Sequence, residues 1–186
     1  MIMSKDDYRY YLKCDSKALG RPRNVFYYFF DEIWVFQRAL RRAEFHRNTG
    51  AFVLLRVVSF LWYKVMAGRL GFTIPLNVFG PGLSIAHRGT IVVNAGAKVG
   101  KNCRIHVCVN IGTLPGHDSL APSIGDNCYI GPGAKIYGPI LIGNDCVIGA
   151  NAVVNKSFSG SCTIAGVPAS VISQKSSDGL FRRGAV

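Results

Sequence analysis

The chain has 186 residues, with 22 Lys+Arg against 10 Asp+Glu and a formal net charge of +12. At 49% hydrophobic and 17% charged residues it can bury a core, which excludes a disordered chain, and its length holds one domain or one domain with a helical appendage. The longest apolar run, residues 51–67, is cut by Arg56 and Lys64 and falls short of the roughly 20 residues of a bilayer span; the first residues lack the basic-then-apolar order of a secretory signal, so the six Cys are expected as thiols in the cytoplasm.

Residues 1–74 carry a net charge of +7 and read as a helical segment. Ser4 is placed to cap a first helix running to about Ala18, ended by Gly20 and Pro22. A second helix is predicted from about Asn24 to Arg47, because Phe26, Phe29, Phe30, Ile33 and Phe36 recur at the spacing of one helix face. A third is predicted from about Thr49 to Leu70, ended by Gly71 and Pro75. The aromatic stripe is expected to pack against the rest of the molecule. The alternative is a basic, aromatic surface in peripheral contact with a membrane.

After residue 74 a period of six replaces the helical one. Val93, Val99, Ile105 and Ile111, then Ile124, Ile130, Ile136, Ile142, Ile148 and Val154, occupy one slot of the repeat. Glycine follows that slot at 100, 112, 125, 131, 143 and 149. Such a repeat means short extended segments joined by tight turns, each sending one aliphatic and one small side chain into a narrow core. Cys103, Cys128 and Cys146 take the small inward slot and are expected as packed thiols, with Cys14, Cys108 and Cys162 outside it. Cys103, His106 and Cys108 do not have zinc spacing, so no metal is expected. The divisions expected are 1–74, helical; 75–172, repeat domain; and 173–186, a basic tail.

The repeats at Ile124, Ile130 and Ile148, and the ending Ile164-Ala165-Gly166-Val167-Pro168-Ala169, resemble the hexapeptide-repeat acyltransferases. The helical N-terminus, the stretch from His87 to Val93 and the stretch from Val109 to Thr113 are most similar to the serine O-acetyltransferases, including those of exopolysaccharide gene clusters. The resemblance implies a mainly β fold, a left-handed parallel β-helix with an N-terminal α-helical segment, assembled as a homotrimer with sites between subunits. It implies acetyl-CoA as co-substrate and a hydroxyl acceptor, either serine or a sugar of surface polysaccharide. Of other classes, nucleic-acid binding suits the charge but has no motif here, and a non-catalytic β-helical scaffold is the alternative to an enzyme.

Two irregularities mark where chemistry belongs. Stepping back from Val93 places His87 in a slot otherwise taken by Val or Ile, so it has a dedicated partner or lies before the regular coil begins. In the resembling enzymes a His here is the general base. A hydroxyl is a poor nucleophile at neutral pH, and one base titrating near 7 answers that need. Thirteen residues then separate Ile111 from Ile124, so seven, His117 to Ser123, are predicted to leave the coil as a loop offering His117 and Asp118 to the acceptor. The resemblance implies that Gly112, Thr113, Gly131, Gly133 and Ala150 line the pantetheine channel. It also makes Lys156 the phosphate ligand, with Lys135 a second candidate. The chain departs from the serine-specific pattern: Ala86 stands where an Asp usually precedes the base, and Ala121 replaces a His before Pro122. His106, one residue past an inward slot, is expected to face outward, either exposed or lining the donor groove.

Overall fold

A computed structural model of the chain describes residues 1–20, 25–117 and 119–185. Helix α1 spans Lys5–Leu19, and the Ser4 hydroxyl accepts from the Asp7 N–H at 3.0 Å to cap it, as the sequence predicts. The second predicted helix is two: α2, Val25–Phe30, and α3, Glu32–Asn48. The break is Asp31, whose carboxylate accepts from the Trp34 N–H at 2.8 Å and starts a new helix there. The aromatic stripe therefore divides: Ile33 and Phe36 on α3 are buried, whereas Phe26, Phe29 and Phe30 on α2 are exposed. Pro22 and Asn24 lie outside the described residues. Helix α4, Val53–Leu70, begins later than the sequence suggests and ends at the left-handed Gly71.

Five triangular coils follow. Strands β1 (Phe72–Thr73), β3 (Ile91–Val93), β6 (Asn110–Gly112), β9 (Lys135–Tyr137) and β12 (Val153–Val154) stack into one parallel sheet. A second sheet holds β4 (Lys98–Val99), β7 (Ser123–Ile124) and β10 (Leu141–Ile142). The third holds β2 (Ser84–Ile85), β5 (Arg104–Ile105), β8 (Tyr129–Ile130), β11 (Val147–Ile148) and β13 (Thr163–Gly166), closed by antiparallel β14 (Ala169–Ser173). A regular coil takes eighteen residues, as from Val92 to Asn110 and from Lys135 to Val153.

All ten aliphatic slots of the repeat are buried, and they stack in register: Ile105 on Ile130, Ile130 on Ile148, Ile148 on Ile164. At 100, 125, 131, 143 and 149 the glycine after the slot serves close approach. A Cβ on Gly125 would fall 2.9 Å from the Gly143 carbonyl carbon of the next coil, so any side chain would force the coils apart. The left-handed turn conformation falls two residues later, on Asn102, Asn127 and Asp145. Cys162 joins Cys103, Cys128 and Cys146 in the small inward column, contrary to the sequence register. The last coil is two residues short, so Thr163 pairs with Val147 and Cys162 lies against Cys146, Sγ to Sγ 3.9 Å.

A buried ion cluster fixes the helices to the first coil. The Arg41 guanidinium bonds Asp15 (2.8 Å), Glu44 (3.0 Å) and the carbonyls of Phe79 and Gly80 (2.9 and 2.7 Å). Asp15 in turn accepts from the N–H groups of Gly82 and Leu83. Both carboxylates lift the Arg41 pKa despite its complete burial. The C-terminal residues run back along the third sheet as a strap. Arg183 pairs with Asp145 at 3.1 Å, and the Asn102 side chain receives the N–H groups of Gly184 and Ala185 at 3.0 and 2.8 Å.

Candidate active site

His87 lies in the bend joining β2 on the third sheet to β3 on the first. The inward slot of that coil is filled by Ile85, paired with Ile105, and the coil is two residues longer than regular, from Ser84 to Arg104. His87 is therefore an exposed side chain on an irregular corner, the second of the two possibilities its position allows. Its ring bonds no described residue. Next to it, Arg88 pairs with Glu32 of α3 at 3.1 Å, which brings a carboxylate from the helices to this corner.

His106 is on the same corner one coil up, and it is buried rather than solvent-facing, at 9% exposure. Its Nδ1 lies 2.8 Å from the Ile130 carbonyl, and its ring packs on Tyr129 with centroids 4.7 Å apart. A carbonyl can only accept, so Nδ1 carries the proton and Nε2 is the open, unprotonated nitrogen. Desolvation lowers the His106 pKa, the hydrogen bond to the Ile130 carbonyl offsets part of this, and the nearby Arg104 guanidinium lowers it further. The Ala86 N–H donates to the Ile105 carbonyl at 3.0 Å, which fixes the His87 bend directly beside His106. Sequence reasoning missed its burial because a residue one past an inward slot normally faces out. The signal available was the pairing of a His with an aromatic at the same corner of the next coil.

The loop is at a different corner. The coil from Asn110 to Lys135 takes twenty-five residues, the seven-residue excess that the sequence predicts. The excursion, however, runs from Thr113 to Pro122, with Ser123 already in β7, and it joins the first sheet to the second. The Leu114 N–H donates to the Leu120 carbonyl at 3.0 Å and pinches its base. His117 is exposed there, and Asp118 lies outside the described residues. A single chain thus holds His87 and His117 on separate corners.

The candidate donor-channel residues also divide. Gly131, Gly133 and Ala150 sit on the His87 corner. Gly131 is required by the coil itself, since its Cβ would fall 2.7 Å from the Ile148 carbonyl oxygen. The Gly133 N–H donates to the Val107 carbonyl at 2.9 Å, so it is not free to hold an oxyanion. Gly112 differs: a Cβ there would meet nothing within 4 Å, and its backbone needs no positive φ. No intrachain contact demands a glycine at 112, so a passing ligand is a sufficient reason for one. Gly138 lies alongside, its N–H donating to the Gly112 carbonyl at 3.3 Å, and the space over it is equally open. The Thr113 N–H has no acceptor among the described residues, which leaves it available to a developing negative charge. Lys135 is engaged by the Cys108 carbonyl and the Asn110 side chain, at 2.6 and 3.0 Å. Lys156 is exposed near the Phe158 ring on the corner that Gly112 leads to, and it is the freer of the two lysines. Among the described residues no three His, Cys, Asp or Glu side chains converge as a metal site.

This arrangement is a left-handed parallel β-helix of hexapeptide repeats, and the comparisons with known proteins agree on that class. Residues 121–156 match the family described as bacterial transferase hexapeptide (six repeats). More particularly, the chain is similar to serine acetyltransferases. It is 41% identical over 104 residues to a serine acetyltransferase of Mycobacterium tuberculosis, covering 54% of this chain and 44% of that protein. The crystal structure of the Brucella abortus strain S19 serine acetyltransferase superposes with a TM-score of 0.74 at 27% identity, over 93% of this chain and 72% of that one. The same enzyme in complex with coenzyme A gives a TM-score of 0.73 at 25% identity, over 91% and 68%. The chain spans less than half the length of the curated relatives it matches.

Proposed function

We propose that the protein is an acetyl-CoA-dependent O-acetyltransferase that transfers acetyl directly to a hydroxyl, with His87 as general base. The observation that carries this reading is the corner itself: a solvent-accessible imidazole held on a rigid coil in a fold shared with serine acetyltransferases, one of which is solved with coenzyme A. In the proposed step His87 takes the hydroxyl proton as the acceptor oxygen attacks the thioester carbonyl. The C–S bond then breaks, and the imidazolium returns the proton to the CoA sulfur. The Thr113 N–H would stabilise the tetrahedral oxyanion, a contribution of about 10²–10³ in rate for one donor in a comparable site. The open strip over Gly112 and Gly138 would admit the pantetheine arm, and Lys156 would meet a CoA phosphate.

Acetyl transfer to serine is the reading the relatives support. Ala86 before the base and Ala121 before Pro122, which depart from the serine-specific pattern, favour a sugar hydroxyl over the amino acid. His117, with Asp118, would contact that acceptor from the loop. We read the assembly as a homotrimer, because His87 and the loop occupy different corners of the β-helix and a neighbouring copy would bring them together. Six free thiols, two of them in S–H···S contact at 3.9 Å without a disulfide, suit the cytoplasm.

Acceptor-dependent release of the CoA thiol, measured across serine and a panel of sugars, tests the proposal. Release with a sugar or with serine supports it and assigns the acceptor class. A protein that neither binds CoA nor releases it with any acceptor is a scaffold, and the proposal fails.

A further inference from the structure

Helix α4 exposes thirteen of its eighteen residues, and the whole circumference of its first turns, 53–58, faces solvent. Much of that surface is apolar: Leu54 is 62% exposed and Leu61 57%, and Phe30 of the neighbouring α2 reaches 69%. Single exposed apolar side chains are ordinary, but a continuous field of them marks a surface with a partner.

The same field is positively charged. Arg42, Arg47, Arg56, Lys64 and Arg69 are exposed on α3 and α4, and no acidic residue follows Glu44 before residue 118. Helices α2 and α4 carry no acid, and those of α3 and its cap are engaged elsewhere. Glu44 binds Arg41 and the Asn77 N–H, Glu32 pairs with Arg88, and Asp31 caps α3. Two clefts open between the helices, each combining apolar walls with two arginines. One of about 400 Å³ is lined by Arg47 and Arg56 with Val53, Val57 and Phe60. The other, about 220 Å³, is lined by Arg38 and Arg42 with Phe29 and Trp62. Arg38 Nε is shielded from solvent yet has no acceptor among the described residues.

We propose that α2, α3 and α4 form a docking face for a bilayer rich in anionic phospholipid. Apolar side chains enter the acyl boundary while the arginines meet phosphates, and the two clefts seat individual headgroups with their upper chains. None of the described helices is long and apolar enough to cross a membrane, so the face lies along the surface. A second copy of the chain fits less well. A two-fold contact would set this largely cationic face against itself, and its one exposed glutamate, Glu32, is already paired with Arg88. The inference stands apart from acetyl transfer, which takes place on the coils.

The test is co-sedimentation of the full chain with vesicles of phosphatidylglycerol and phosphatidylcholine in equal parts, against phosphatidylcholine alone. Binding to the first is expected to exceed binding to the second by about tenfold or more and to weaken with salt. Arg47→Gln with Arg56→Gln should lower it about tenfold or more, and Leu54→Ser with Leu61→Ser should reduce it on their own. Both pairs sit at exposed positions, so thermal unfolding should be unchanged. Two results overturn the proposal: equal partition to both vesicle types, or none to either. A third is light scattering that shows a larger assembly which the Leu→Ser pair splits while vesicle binding stays the same. That outcome assigns the face to a second copy.

Discussion

At the residue scale the two histidines of one corner differ in kind. His87 is open and unbonded, the condition of a group that must meet its partner in a substrate, whereas His106 is fixed by the Ile130 carbonyl and the Tyr129 ring. Burial holds the His106 pKa below its ordinary 6.5, so the unfolded chain binds a proton there before the folded one does. The sign follows: the folded state is favoured above about pH 6.5 and loses that advantage as pH falls toward the lowered value. His106→Gln should remove this component, so the fall in melting temperature between pH 7 and pH 5.5 should be shallower than in the wild type. An equal fall in both proteins would contradict the burial argument. Cys103 illustrates the same physics for a thiol, pushed up to about 12 by burial and therefore inert toward alkylation in the folded protein.

At the element scale the helices and coils act through shared polar groups. Arg41 has no exposed atom to take to water, and Asp15 and Glu44 bond backbone N–H groups of the first coil as well as the guanidinium. Arg41→Met leaves two buried carboxylates without their counter-ion, and breaking such a pair costs about 3–5 kcal/mol. Chemical denaturation should show a loss of that order, in one transition shared by helices and coils. A separate early transition of the helices alone would show that the two parts are not one cooperative unit. The strap should respond to Asn102→Gly, which keeps the left-handed turn and removes the acceptor shared by the Gly184 and Ala185 N–H groups, through faster proteolysis of the last residues.

What could be read from the chain at this scale depended on which physical signal was periodic. Ser4 and Gly71 declared helix ends because a cap has a fixed chemistry. The break at Asp31 stayed hidden because a carboxylate in that place serves equally as a surface residue within a helix or as the cap of a new one. The six-residue slots were legible to the last Val154, and then Cys162 was misplaced because two missing residues in the final coil leave no mark in composition.

At the scale of the whole molecule the coil is a stack in which each layer supports the next, so a defect is felt by both neighbours. Ile130 lies between Ile105 and Ile148 with no exposed surface, and Ile130→Ala should cost about 2–5 kcal/mol in denaturant unfolding. A loss well below that would mean the layers relax independently. The irregular corners are where the stack lengthens: two extra residues place His87 outside the core, and seven extra place the loop on another corner. The position of each irregularity was legible as an offset in the repeat. Which corner each would occupy was not, because corner assignment depends on the three-strand count of the coil rather than on the six-residue period. The burial of His106 and the bare strip at Gly112 and Gly138 likewise emerge only when neighbouring coils are stacked.

The central claim is that the exposed imidazole on the lengthened corner takes the proton from an acceptor hydroxyl. The most direct measurement is kcat/KM for acceptor-dependent CoA release by the wild type and by His87→Ala, with CoA binding measured in parallel. The account predicts a fall of about 10²–10⁴ in kcat/KM with CoA affinity unchanged. Equal rates in the two proteins would contradict it.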